Sequence, residues 1–252
     1  VDARLADGSR LCVALDPVAV DGPCLSVRKF APRRLVVHDF ATPSVCTLLH
    51  HVVQARCNVV VSGATSSGKT TLLGALAACV EPPSRLVTLE DVAELRLDHP
   101  HVVRLETRDA TPDGVGRIDL EHLVRTALRL RPDRLVVGEI RGTEAVHLLH
   151  ALNTGHDGSM STVHANSATD ALSRLASLVL QSAPNWPLAA VRDHVARAID
   201  VVVHVERGAD GTRRIVEVAE VDPDATHTLG VRHLAGTGVV APLQRRRRVG
   251  TS

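Results

Sequence analysis

The chain has 252 residues, of which 44% are apolar and 23% are charged, a composition typical of globular proteins that excludes extensive disorder. A net charge of +1 gives no overall attraction for nucleic acid or anionic lipid. Aromatic residues make up 1%, too few for a base-stacking surface, so no nucleic-acid partner is expected. The five cysteines form no C-x-x-C pair, and no apolar run approaches the ~18 residues of a membrane span. We therefore expect a soluble, cytoplasmic protein.

The first forty residues are predicted to be rich in β-structure. Asp7-Gly8-Ser9 separates two stretches of alternating apolar and polar residues and predicts a hairpin, and Leu25 to Phe30 predicts a further strand. This segment is too short to close a core of its own. We expect residues 1–40 to be the C-terminal part of a small, truncated α+β domain, and residues 41–57 to be a linker followed by a helix.

From residue 58 the pattern changes to short valine- and leucine-rich runs that alternate with amphipathic helices. This alternation predicts an α/β domain over residues 58–222 with a mainly parallel central sheet. A closing hairpin is expected from two valine-rich runs around Gly208–Gly211, and residues 223–252 are expected to form a weakly structured tail that ends in the basic run Arg245–Arg248. The predicted parallel strands are Asn58–Ser62, Arg85–Leu89, His101–Leu105, Arg134–Val137 and Met160–His164.

A glycine-rich motif follows the first of these strands, matches the pattern G-x-x-x-x-G-K-[ST], and precedes a helix predicted over Thr71–Cys79. Such a loop directs backbone N–H groups and a helix N-terminus at phosphate oxygens. We expect Lys69 to bind the β- and γ-phosphates of ATP and the Thr70 hydroxyl to ligate Mg²⁺. The residues predicted to bind the nucleotide are Gly63, Ala64, Thr65, Ser66, Ser67, Gly68, Lys69, Thr70 and Thr71.

Acidic residues follow two other predicted strands. Glu139 comes after the apolar run Leu135–Val137, and Glu90-Asp91 follows Arg85–Leu89. Because the C-terminal ends of parallel strands share one edge of a sheet, these carboxylates are expected beside the phosphate loop. Glu139 is predicted to face Mg²⁺, directly or through a water molecule. One of the two glutamates is expected to activate the attacking water, and the sequence leaves open which one.

A histidine ends the last predicted parallel strand. A glycine-flanked turn, Gly155–Gly158, leads into this strand, and His164 would then lie at the edge that holds Lys69, Glu90 and Glu139. Two interpretations are balanced: a structural histidine with satisfied hydrogen bonds, or a residue that senses the phosphates during catalysis.

In their order along the chain, these clusters resemble the type II/type IV secretion ATPase superfamily, and most closely its tight-adherence (Tad/Flp, CpaF-like) pilus-assembly branch. The likeness runs from about residue 2 to 222, and the acidic and histidine clusters make it more specific than a phosphate loop alone. Its motifs are Asp2–Arg10, Leu25–Phe30, the Walker A loop Gly63–Thr70, the acidic box Thr88–Asp91, His101–Arg108, the Walker B segment Arg131–Gly142 and the histidine box Asn153–Asn166.

The resemblance implies a RecA-like P-loop NTPase that hydrolyses ATP with Mg²⁺ at the subunit borders of a hexameric ring. Such a ring would drive pilus assembly or protein secretion, held at the inner membrane by a platform protein. Among the residues matching the family pattern, Arg28 would contact the nucleotide from the N-terminal domain, with Arg10 second, and Arg104 and Arg108 would lie near the phosphates or a subunit border.

Two departures from the family pattern leave alternatives open. The truncated N-terminal domain favours, as an alternative, a nucleotide-binding scaffold with little turnover, and a DNA-translocating motor is a further, less favoured one. Ser66 stands where relatives often carry glycine, so a positive φ at this position would strain the loop. The nature of the cargo is not predicted by the sequence.

Overall fold

A computed structural model of the chain describes residues 2–29, 35–111, 113–222, 229–236 and 241–244. It divides into two units, Val1–Arg34 and Leu35–Ser252, a division six residues before the predicted end of the first domain. The run Arg245–Arg248 and Phe30 lie outside the described residues.

The first unit contains a three-stranded antiparallel sheet in the order β1-β2-β3. Its strands are β1 (Asp2–Arg4), β2 (Arg10–Ala14) and β3 (Cys24–Arg28). The predicted hairpin is confirmed: the Ser9 amide donates to Asp7 Oδ1 at 2.8 Å, and Gly8 has a φ of 89° that suits glycine. Arg28 is the last residue of β3.

The second unit alternates strands and helices, as the sequence predicts. The five predicted parallel strands are all present, each within one residue of its expected ends. The strands are β4 (Val59–Gly63), β5 (Leu86–Glu90), β6 (Val102–Glu106), β7 (Arg134–Val137), β8 (Met160–His164), β9 (Val201–Arg207), β10 (Arg213–Val221) and β11 (Val231–Ala235). The helices are α1 (Pro43–Gln54), α2 (Lys69–Ala77), α3 (Leu120–Leu128), α4 (Glu144–Asn153), α5 (Ala168–Ser182) and α6 (Leu188–Ala198).

The sheet of this unit has the order β11-β10-β9-β4-β8-β7-β5-β6. The six strands from β9 to β6 are parallel, and β10 and β11 extend the sheet as antiparallel strands. The expectation of a weakly structured tail after Asp222 is therefore wrong for Val231–Ala235. This strand is short and has weak alternation, and its partner β10 stabilises it through a register that the sequence of β11 alone does not indicate.

Apolar residues cover both faces of this sheet, so the strands are buried on two sides. On one face, Val60, Val87 and Leu135 pack with α3 to α6, and on the other, Val59, Val61 and Val136 pack with α1 and α2. Consecutive residues of β4 thus point into different cores, because side chains alternate across a strand. The resulting three-layer α/β/α arrangement holds the C-terminal ends of the parallel strands together at one edge.

A buried polar residue aligns three of these strands at the opposite edge. Asn58 Oδ1 accepts from the amides of Gly158 and Ser159 at 2.9 and 3.1 Å, and its Nδ2 donates to the Ala198 carbonyl at 2.8 Å. The amide of Asn58 donates to Asp200 Oδ2 at 2.7 Å. Because these bonds join the starts of β4, β8 and β9, they set the register with which those strands reach the site.

Candidate functional site

The predicted site residues of the second unit meet at the C-terminal edge of the parallel sheet. Gly63 at the end of β4 is paired directly with His164 at the end of β8. Glu90 ends β5, and Glu139 follows β7 by two residues. The four elements that carry the motifs are therefore brought to one edge, as expected from the parallel topology.

The phosphate loop runs from Gly63 into helix α2, which begins at Lys69, two residues earlier than predicted. Gly68 precedes the helix in the left-handed conformation (φ 101°), which suits glycine. The amide of Ser67 donates to the Ala64 carbonyl at 3.3 Å. The amide of Leu72 donates to the Gly68 carbonyl at 2.9 Å and closes the first turn of α2. Ala64, Thr65 and Ser66 are exposed, and Thr70 and Thr71 lie in the first turn of α2. The geometry is that of an anion-binding loop that opens onto a helix N-terminus.

Lys69 is folded back over this loop. Its Nζ donates to the Ala64 carbonyl at 2.8 Å and lies 3.3 Å from His164 Nδ1. The side chain is buried, and this burial lowers the pKa of Lys69, while the carboxylate of Glu139 partly offsets the shift. The ammonium is thus positioned in the loop, with carbonyl and imidazole partners that a phosphate oxygen could replace.

His164 connects the lysine to the glutamate after β7. Its Nε2 lies 3.1 Å from Glu139 Oε1, and its Nδ1 faces the Lys69 ammonium. Burial lowers the pKa of His164, the charge of Lys69 lowers it further, and Glu139 opposes the shift. A neutral ring protonated at Nε2 satisfies both contacts, because it accepts from Lys69 and donates to Glu139. Of the two balanced interpretations, this position in a Lys69–His164–Glu139 chain favours a role for His164 in the site.

Glu90 is the most deeply buried acid of the site, with 3% of its surface exposed. Its Oε1 accepts from the amides of Glu94 and Leu95, both at 2.9 Å, while Oε2 is buried without a hydrogen-bond partner among the described residues. Burial raises the pKa of Glu90, and the two amides together with Arg104 act against this shift. A carboxylate with one oxygen anchored and the other unpaired has the basicity and the free lone pair that a general base requires.

The acidic box and the segment after β7 are held together at the same edge. Gly138 packs against Glu90, since a Cβ atom added to Gly138 would lie 3.1 Å from Glu90 Cγ. Asp91 forms an ion pair with Arg141. Glu144 Oε1 accepts from the amides of Arg141 and Gly142 and so stabilises the turn between β7 and α4. The end of β5, which carries Glu90, and the segment after β7, which carries Glu139, are therefore held together by these contacts.

The other predicted arginines lie in different places. Arg28 of β3 lies opposite Arg10 of β2 in the backbone register of the first unit. The contact of these two arginines with the nucleotide stays a prediction. Arg104 donates to the Ala93 carbonyl at 3.0 Å, in the loop that anchors Glu90. Arg108 donates to the Gly116 carbonyl at 2.8 Å and thereby fastens the loop before α3.

Magnesium is the cofactor that the motif implies, and the available donors fit it. The Thr70 hydroxyl and the Glu139 carboxylate are hard oxygen ligands, and Mg²⁺ in nucleotide sites completes its shell with water and phosphate oxygens. Within the described ranges, no cluster of three or more histidine, cysteine, aspartate or glutamate residues could hold a metal ion without such additional ligands.

Sequence reasoning missed one side chain that contacts the loop, that of Arg213, and predicted Ser67 as part of the loop without its burial. Ser67 Oγ is buried without a partner in the described part of the chain, and Arg213 at the start of β10 packs on Gly68. The motif itself points to Ser67 as part of the loop, but nothing in the local sequence distinguishes Arg213 from the other surface arginines.

Ser66 has a φ of 61°, so the strain anticipated at this position is present. We expect Ser66→Gly to relieve it and to raise the melting temperature by about 2–4 °C, the shift that corresponds to ~1 kcal/mol in a domain of this size. Ser66→Ala, which retains the strain and removes only an exposed hydroxyl, is the matched control and should melt like the unmodified protein. Thermal unfolding followed by circular dichroism checks this; equal melting temperatures for the glycine and alanine variants would contradict it.

The electrostatics of Lys69 allow a direct test, because Lys29 and Lys69 are the two lysines of the sequence. In a Lys29→Arg background, ¹³C-dimethylated Lys69 gives one side-chain NMR signal, which should titrate below the value of about 10.4 of an exposed lysine. Glu139→Gln should lower this pKa further, because it removes the charge that favours the ammonium. An unchanged or higher pKa in the Glu139→Gln variant would contradict the arrangement.

The fold and the site together define a RecA-like P-loop nucleotide-binding protein. The model of the family described as "Type II/IV secretion system protein" matches residues 1–237, and the chain belongs to this family. The superfamily predicted from the sequence is thus confirmed, while the tight-adherence branch stays a prediction. Among the described residues, no helix has both the length and the apolar character needed to cross a bilayer.

Relatives with names from type IV secretion and conjugation are among the similar proteins. A Mycobacterium tuberculosis H37Rv protein, whose name proposes a role in conjugal transfer, is 43% identical over 215 residues, which cover 83% of this chain and 60% of the relative. The conjugal transfer protein TrbB of Rhizobium radiobacter is 34% identical, covering 93% of this chain and 72% of its own length. The chain thus spans about 60% of the length of the mycobacterial relative.

Solved structures share the same fold. The VirB11 ATPase of the Brucella suis type IV secretion system, solved in complex with sulphate, superposes with a TM-score of 0.63 at 32% identity, covering 91% of this chain and 75% of that one. The pilus retraction motor PilT with bound ADP has a TM-score of 0.68 at 21% identity, covering 91% of this chain and 66% of that one. The second likeness supports the RecA-like fold alone.

Proposed function

We propose that this protein is a Mg²⁺-dependent ATPase that converts ATP hydrolysis into the mechanical work of a secretion or pilus-assembly machine. The observation that carries the proposal is the Lys69–His164–Glu139 chain beside the phosphate loop. Glu90 lies at the same edge of the sheet, at the end of β5, the strand next to β7. A phosphate loop alone would support nucleotide binding. Two carboxylates and a histidine at the terminal-phosphate side add the groups that hydrolysis needs.

In the proposed reaction, each residue has a separate role. Lys69 exchanges its Ala64 carbonyl and His164 partners for phosphate oxygens and stabilises charge on the β- and γ-phosphates. Mg²⁺, held by Thr70 and by Glu139 directly or through water, would neutralise charge on the same phosphates.

We assign water activation to Glu90. Its unpaired Oε2 has a free lone pair, and its raised pKa makes it more basic than an exposed carboxylate. His164 would report the state of the γ-phosphate, because its contact with Lys69 depends on where the ammonium lies. The sequence leaves the choice between the two glutamates open, and the unpaired, buried oxygen of Glu90 supports this assignment.

The proposed working form is a ring, a hexamer by the family resemblance, that acts at the inner membrane through a platform protein. Arg28 would reach the nucleotide from the N-terminal domain when the ring closes, an arrangement that supplies positive charge only in the assembled state. The names of the relatives favour a type IV secretion or conjugation system as the setting. The tight-adherence pilus is the alternative setting that the sequence motifs favour.

Phosphate release from ATP and Mg²⁺, measured together with molar mass in solution, tests the proposal. We expect steady turnover and a larger mass when ATP is present. Tight ATP binding without any phosphate release would instead support the nucleotide-dependent scaffold. Salt-dependent binding of duplex DNA would support the translocase, which the near-neutral charge disfavours.

A further inference from the structure

The β9–β10 hairpin forms a wall of the phosphate loop on the side away from His164. β9 is the sheet neighbour of β4 opposite β8, so the loop after β4 lies between the ends of β8 and β9. The contact with β9 is tight: a Cβ atom added to Gly63 would collide with the Val205 carbonyl and lie 2.5 Å from Ser67 Oγ. The hairpin is therefore part of the site, although no motif of the sequence marks it.

Arg213, the first residue of β10, extends from this hairpin over the loop. A Cβ atom added to Gly68 would lie 2.5 Å from Cδ of Arg213 and 3.1 Å from its Nε, so the arginine side chain packs directly on the residue that precedes α2. The Nε of Arg213 is buried and has no hydrogen-bond partner in the described part of the chain. A buried, unpaired N–H of a cation is costly, and an anion bound in the loop would satisfy it.

The position of Arg213 indicates which part of a nucleotide it meets. Lys69 contacts His164, which ends β8, and His164 in turn contacts Glu139, which follows β7. This side of the loop is therefore the side of the terminal phosphate. Arg213 approaches from β10, on the other side of β4. A triphosphate whose γ-phosphate lies near Glu139 therefore has its α-phosphate toward Arg213.

We propose that Arg213 binds the α-phosphate of the nucleotide and fixes the nucleoside end of the substrate. This inference rests on the proposed nucleotide-binding function. Because the α-phosphate is common to ATP and ADP and does not react, the contact should stabilise ground state and transition state equally. Arg213 then sets affinity and leaves the chemical step unchanged.

Arg213→Met tests the proposal, because methionine retains an apolar stem for packing on Gly68 and removes the guanidinium. We expect the dissociation constants of both ADP and ATP to rise by about tenfold or more, in equal proportion, as for loss of a charged hydrogen bond. KM for ATP should rise with kcat unchanged. Arg214→Gln is the matched control, because the side chain of Arg214, the next residue in the sequence, is 70% exposed and pairs with Asp210. This variant should leave nucleotide binding unchanged.

The outcomes separate this inference from the proposed function. If Lys69→Ala abolishes ATP binding or turnover while Arg213→Met binds ADP and ATP normally, the Arg213 inference is wrong and the proposed function stands. A loss of affinity for ATP alone would place Arg213 at the γ-phosphate and overturn the inference. If the unmodified protein binds neither nucleotide, both fail. An equal loss for ATP and ADP with an unchanged melting temperature of the nucleotide-free protein supports the contact over a packing role.

Discussion

Lys69→Ala is expected to reduce ATP hydrolysis by at least about a thousandfold, the scale seen when a charge that stabilises a phosphoryl-transfer transition state is lost. The physical reason is the placement of the ammonium inside the loop, 2.8 Å from the Ala64 carbonyl and beside His164 and Glu139. No other lysine of the chain lies in the second unit, so no neighbouring lysine substitutes for it. Phosphate release at saturating ATP and Mg²⁺ is the measurement.

The chain offers a matched control for this variant. Lys29→Ala removes the remaining lysine, which lies in the first unit, and should leave hydrolysis unchanged. The melting temperature of Lys69→Ala should not fall below that of the unmodified protein by more than a few degrees, because a buried charge is removed along with the packing of its stem. Turnover retained by a folded Lys69→Ala variant would rule out the proposed mechanism.

Glu90→Gln and Glu139→Gln are expected to slow hydrolysis by about a hundredfold or more while ATP stays bound. Glutamine at position 90 retains an oxygen for the amides of Glu94 and Leu95 but replaces the unpaired oxygen with a group that cannot accept a proton. Glutamine at position 139 keeps an oxygen that can accept from His164 but removes the negative charge beside Mg²⁺. Single-turnover phosphate release and equilibrium ATP binding, measured on the same samples, separate chemistry from affinity.

Glu106→Gln is the control for both variants, because Glu106 ends β6, one strand further from the loop than Glu90. It should hydrolyse ATP at the rate of the unmodified protein. If Glu90→Gln hydrolyses ATP normally while Glu139→Gln does not, the assignment of water activation to Glu90 is wrong and passes to Glu139.

Stability provides a second readout for Glu90. Because burial raises the pKa of Glu90 in the folded protein, the folded state holds this proton more tightly than the unfolded state. The free energy of unfolding therefore falls as the pH rises from the pKa of Glu90 in the unfolded protein to its higher pKa in the folded protein. Glu90→Gln removes this loss, so its melting temperature should exceed that of the unmodified protein at neutral pH, by about 2–4 °C for each kcal/mol gained. A variant that is both slower and less stable would indicate a structural role for Glu90.

The sequence predicted the central strands and the motifs at their ends closely. Apolar runs such as Leu135–Val137 are buried on both faces of the sheet. A short, continuous apolar run of this kind is typical of a central parallel strand, so its position could be predicted from the sequence. The helix after the loop was predicted two residues late, since Gly68 rather than Thr70 precedes its first residue. β11 was missed because its pairing with β10 is decided by the partner strand.

The sequence by itself determined the family, the phosphate loop and the edge of the sheet at which Lys69, Glu90, Glu139 and His164 would meet. These follow from local residue order, because a parallel sheet places the ends of its strands at one edge whatever the details of packing. Only the tertiary structure decided that His164 lies between Lys69 and Glu139, that one oxygen of Glu90 is left unpaired, and that Arg213 covers Gly68. The contact between Gly68 and Arg213, like the burial of Glu90, depends on how elements far apart in the sequence pack, which no local pattern encodes.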